Sequence, residues 1–165
     1  MTGPLPEGGS AQAAATSTNP RVVLLDGTAG LPPKIVGNKG YGIDAMRRHG
    51  LPVPSAFGIT TEVCAQWFAN PDDTIDTIWN DVLMRMRWLE QATSRTFGCG
   101  PRPLLVSVRS GAAQSMPGMM DTVLDLGMDD AVEAALREAR TPEFARDTRR
   151  RFNEMYRRVV LGGDD

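Results

Sequence analysis

The sequence predicts a mixed α+β domain, and three observations carry that prediction. Apolar runs of strand length stand at Val22–Leu25, Ala56–Ile59 and Leu104–Val108. Longer segments with apolar residues at helical spacing lie between and after them. Glycine, proline, asparagine and aspartate separate the two kinds of segment, as turn chemistry requires. Strands that alternate with helices bury their apolar faces by packing helices on a mixed sheet. A length of 165 residues, with 41% hydrophobic and 23% charged side chains, suits one such domain.

The elements follow in order. Residues 1–19 are Ala, Ser, Thr, Gly and Pro with almost no large apolar side chain, so they are expected to form a disordered tail, with the domain spanning 20–165. After the first strand and the Asp26-Gly27 turn, Asn38 is placed to cap a short helix that carries Ile43 and Met46, ends on Arg47 and Arg48, and stops at Gly50. Leu51–Pro54 must run extended. The second strand leads to a helix capped by Thr60 or Thr61 that reaches Asn70-Pro71. The longest helix comes next, capped by Asp72 or Asp73, with Ile75, Ile78, Trp79, Val82, Met86 and Leu89 on one stripe and Phe97-Gly98 as its end. The third strand opens into RSGAAQSMPGMMDTVLDLG, which holds neither period in its first half and reads as a long loop. Asp129 or Asp130 caps a helix through Ala139. Thr141-Pro142 starts the last helix, with Phe144, Phe152, Met155 and Val159 inward.

Composition removes several functions. No apolar stretch approaches a membrane span, and the N-terminus has neither a basic start nor a greasy centre, so a cytoplasmic protein is expected. A net charge of −2 offers no excess to hold a nucleic acid. Cys64 and Cys99 are too few for a disulfide framework and form no zinc spacing, which reads as two reduced thiols. Of the 18 basic residues, all but Lys34 and Lys39 are arginine, so a retained lysine stands out.

Two segments place a cation among small residues at a junction of elements: GNKG at Gly37–Gly40 and SVRSGA at Ser107–Ala112. Backbone N–H groups in such turns are open to an anion. Neither segment is a Walker loop or a dinucleotide fingerprint, since Asn38 precedes Lys39 and the glycines fall in the wrong order. Lys39 is either a phosphate ligand or a solvated first-turn lysine. Arg109 stands at the carboxyl end of a buried strand, where ligands gather, or is salt-bridged there. Met116–Met120 is a core plug or a cover over a ligand, with Asp121 or Thr122 as its polar anchor. No carboxylate pair forms an acid–base couple, and the acidic residues read as caps and solvated faces. His49, the only histidine, serves a helix end. The arginines from Arg146 to Arg158 form a partly paired, solvated face or a docking surface.

Three blocks resemble the pyruvate, phosphate dikinase family: Val36–Cys64, Leu104–Asp130 and, more weakly, Arg150–Gly162. The SMPGMMDT run after VRSGA separates it from the related phosphoenolpyruvate synthases and rifampin phosphotransferases. The resemblance implies the N-terminal subdomain of an ATP-grasp domain, which binds ATP with Mg²⁺ between two subdomains. It implies a phosphotransferase that converts ATP, phosphate and pyruvate to AMP, pyrophosphate and phosphoenolpyruvate through a phosphohistidine. ATP-binding positions carried over are Lys39, Arg109, Ser110, Gly111, Met116, Gly118, Asp121 and Thr122, with Asn38 in place of the family's second glycine. The acidic Mg²⁺ ligands, the phosphohistidine and the pyruvate site are expected in other domains or a companion chain, so this chain alone should not turn over. The alternative is a non-catalytic binding or regulatory remnant of the same fold; nucleic-acid binding through the arginine helix is a weaker third reading.

Overall fold

The computed structural model describes residues 20–111 and 121–163. The expected tail over 1–19 and the Met-rich segment 112–120 lie outside the described residues. What is described is an α+β fold of five helices and six short strands that pair two by two.

The first half builds on β1 (Val22–Leu24), which runs antiparallel to β2 (Phe57–Ile59) with Val22 opposite Ile59. Helix α1 (Pro33–Arg48) connects them, and α2 (Thr61–Ala69) and α3 (Pro71–Thr93) follow. Val22, Val63 and Ile78 form the core, with Phe57 and Val82 packed against it. Each is the inward residue of its element, so strand and helix periodicity meet in one cluster. The Thr61 hydroxyl donates to the Lys34 carbonyl at 2.7 Å and pins α2 to the start of α1.

Helix α1 departs from the expected short helix in an informative way. Its first turn begins at Pro33, an N1 proline with its fixed φ, which the Pro32-Pro33 pair conceals in a sequence reading. Gly37 then adopts φ 70° and ψ 162°, which breaks the helix, and the expected segment restarts at Asn38. The backbone break at Gly37 marks that start. Helix α3 also shifts from expectation. Asn70 precedes Pro71 at its start, Asp72 and Asp73 stand in the first turn against the helix dipole, and the helix ends at Ser94 in the left-handed conformation with φ 52°. Phe97 lies beyond that end, in β3 (Thr96–Phe97), which runs parallel to β4 (Pro103–Leu104).

The third apolar run therefore serves two ladders. Leu104 closes β4, while β5 (Val106–Arg109) pairs antiparallel with β6 (Thr122–Leu126), a strand that the sequence reading left inside the loop. Helices α4 (Asp130–Ala139) and α5 (Pro142–Val159) begin at the expected caps. The Asp129 carboxylate accepts from Val132 N at 2.7 Å and the Thr141 hydroxyl oxygen from Phe144 N at 3.2 Å. Helix α5 packs on β6 and α4, and its most buried residues are the small Ala145 and Thr148. Phe152, Met155 and Val159 are half-buried and Phe144 is exposed, because the close approach is made by the small residues between them.

Asp125 interrupts β6 with φ 59°, where the register between Val106 and Val108 slips. Burial pushes its carboxyl above the usual carboxylate range, and the Arg151 guanidinium pulls the other way. A carboxyl raised by folding binds its proton more tightly in the native state. Folding stability is therefore lost as pH rises from the unfolded value through the folded one. Asp125→Asn removes that loss and keeps a residue suited to a left-handed backbone. The variant should gain stability over the wild type at about pH 7 but not at about pH 3 in urea melts; equal gains at both would assign the effect to the backbone alone.

Candidate functional site

The two cation-bearing segments meet. A Cβ on Gly111 would lie 3.8 Å from the Gly37 Cα and 3.9 Å from the Val36 carbonyl oxygen, so the segments touch backbone to backbone. Gly37 is buried at this junction, and its positive φ turns the chain so that residues 38–40 begin a fresh helical turn there. Lys39 lies in this turn and is half-buried. From the other side, Arg109 is the last residue of β5, paired across the ladder with Thr122, and its side chain is exposed. Neither cation has an ion-pair partner among the described residues.

Ser110 fastens the open end of this ladder. Its N–H and its hydroxyl both donate to the Asp121 carbonyl, each at 3.1 Å. Lys39, then Arg109, Ser110 and Gly111, and then Asp121 and Thr122 thus belong to three stretches that the fold brings side by side. Met116 and Gly118 lie outside the described residues. The lysine-bearing turn and the arginine-bearing strand end therefore meet at one backbone junction, and an ammonium and a guanidinium are the two cations suited to phosphate.

Asp44 is the residue of this region that sequence reasoning missed. It is 3% exposed, and its carboxylate accepts from Gly27 N at 2.8 Å, Ala29 N at 3.2 Å, Gly30 N at 3.3 Å and the Arg48 guanidinium at 2.7 Å. One side chain thereby organises the loop between β1 and α1. Asp26 starts the same loop, and the hydrogen bond from the Thr28 hydroxyl holds its carboxyl below the usual carboxylate range. Gly27 has φ 101°, and a Cβ there would stand 2.8 Å from Arg48 N, so the loop lies directly on the last turns of α1. The DGTAG turn is visible in the sequence; its acceptor, seventeen residues after Gly27 on a helix, carries no local signal.

The other candidates separate cleanly. His49 is exposed at the end of α1. The arginines of α5 are largely paired: Arg150 with Asp147 and Glu154, Arg151 with Asp147, Arg146 with Glu143, and Arg149 with Asp130. The groove of about 370 Å³ beside α5 is lined by arginines interleaved with Glu133 and Glu154, a mixed-sign surface. Cys64 and Cys99 are free and exposed. Among the described residues no group of three or more His, Cys, Asp or Glu converges. Among the described residues, too, no helix is long and apolar enough to cross a membrane.

The chain matches no family model. It is 43% identical over 146 residues to the pyruvate, phosphate dikinase of Entamoeba histolytica, an alignment covering 88% of this chain and 16% of that protein. The Clostridium symbiosum enzyme of the same name is 42% identical, over 77% of this chain and 15% of its own length, and that of Rickettsia bellii 44%, over 82% and 16%. Its relatives are phosphotransferases. More particularly, the matched part of the chain belongs with the pyruvate, phosphate dikinases, and the chain spans about one sixth of their length.

Proposed function

We propose that residues 20–165 form part of an ATP-grasp domain and supply one wall of the ATP site of a pyruvate, phosphate dikinase. Lys39 and Arg109 hold the phosphates, and Ser110, Gly111, Asp121 and Thr122 frame the site, with Met116 and Gly118 added by the resemblance alone. The observation that supports this reading is the contact of Gly111 with Gly37. Segments far apart in sequence, each with one cation that has no ion-pair partner among the described residues, gain nothing from adjacency unless an anion lies between them or each is neutralised elsewhere. Following the resemblance, the reading gives this chain the phosphates and leaves the metal, the phosphoryl acceptor and pyruvate to other polypeptide. The chain alone is then inactive. The reading includes a cytoplasmic setting, which the two free, exposed thiols suit.

Titration of the chain with ATP, followed by amide NMR, tests the reading. Chemical shifts of residues 37–40 and of 109–111 should move together, along one saturation curve at millimolar ATP. Shifts confined to the α4–α5 groove would overturn the site. Micromolar, stoichiometric binding would favour a stand-alone binding module over a partial site.

A further inference from the structure

Helix α3 carries more apolar surface than the fold covers. Ile78 and Val82 face the core, and Leu89 is buried further along. Ile75, Trp79 and Leu83 stand beside them at i, i+4, i+8, yet all three are exposed, Trp79 by 52%. Successive fourth residues drift by about 40° around a helix, so these three form one continuous strip adjoining the buried face. The last turn of α2, just before α3, adds Trp67 and Phe68, the latter 82% exposed. Scattered single apolar residues on a surface are ordinary, whereas an aligned strip of large ones marks a covered face.

We infer that the α2–α3 face is the docking surface for an amphipathic helix from the dikinase polypeptide outside the matched segment. The curated relatives carry some six times the length of this chain, so polypeptide to cover the strip exists in them. The spacing of the strip is that of a helix–helix seam. Its outer edge is acidic at one end, with Asp72 and Asp76, and carries Arg87 at the other, where the Glu90 carboxylate is taken up by Phe97 N. The docked helix therefore sets basic side chains against Asp72 and Asp76 and an acidic one against Arg87, which fixes its direction. This inference rests on the relation to the dikinases and not on the phosphate site.

Cysteine footprinting tests it without ATP, which keeps its outcome separate from that of the ATP reading. Leu83→Cys and, in parallel, Ile75→Cys are placed in a Cys64→Ser/Cys99→Ser background. Each is alkylated in this chain and in a chimera where the chain replaces the matched segment of the Clostridium symbiosum dikinase, with labelling read by peptide mass spectrometry. Met84→Cys, about 100° around α3 from Leu83, off the strip and also exposed, is the control. Labelling at 75 and 83 should slow at least tenfold in the chimera while labelling at 84 stays the same. Equal rates at 75 and 83 in both proteins would overturn the inference. So would slow labelling that depends on the concentration of this chain alone, since the occupant would then be a second copy.

Discussion

Arg109→Ala in a dikinase-length protein should lower ATP-dependent phosphoryl transfer by about 10²- to 10³-fold, the loss expected when one preorganised group at developing charge is removed. Lys39→Ala should cost a similar factor. Both follow from the proposed site, in which a guanidinium at the end of β5 and an ammonium in the first turn after Gly37 converge on the same phosphates. Arg109→Lys should recover little, because a point charge does not reproduce a planar fork. The double variant should lose much less than the product of the single losses, since each cation loses its use once phosphate alignment fails. Single-turnover release of AMP measures all four. Rates within a few fold of wild type for Arg109→Ala and Lys39→Ala would remove both residues from the site.

Asp44→Ala should be the most destabilising single change in the first half of the chain, by about 3 kcal/mol, because it strips the acceptor from three backbone N–H groups in a part-buried loop. For a domain of this size that corresponds to a fall in Tm of about 10 °C. The Arg48 guanidinium is partly solvated and recovers water, so the lost ion pair is the smaller share. Asp44→Asn should lose less, since its one remaining oxygen can still accept from Gly27 or Ala29. Calorimetry gives the ranking. An Asp44→Ala protein that melts with the wild type would mean that the loop holds itself.

The sequence made legible whatever depends on neighbours in the chain. Caps such as Asp129 and Thr141 act on amides three residues away, so their spacing is the interaction itself. The apolar face of α3 was likewise readable, since Ile78, Val82 and Leu89 follow the helical period. The period did not say which part of that face the fold would cover, and Ile75 and Trp79 stayed outside. Strand β6 was hidden because its partner β5 ends a dozen residues earlier in the chain, with no hairpin signal between them, and because Asp125 breaks the apolar run. In the candidate site, Lys39 and Arg109 were marked by residue type. The meeting of Gly37 with Gly111, and the four donors gathered by Asp44, are tertiary facts with no local trace.

The contact of Gly111 with Gly37 also bears on how the protein folds. The two glycines are separated by about seventy residues, and closing so long a loop has an entropic cost that no local propensity offsets. The helices can form early from their own caps and spacing, while this junction waits for β1–β2, α1–α3 and the β5–β6 ladder to reach their places. The proposed phosphate wall would thus be a late product of folding. A nascent or partly unfolded chain has the lysine and the arginine but not the junction of their two segments, so under the proposed function competence to bind the nucleotide reports on completion of the fold.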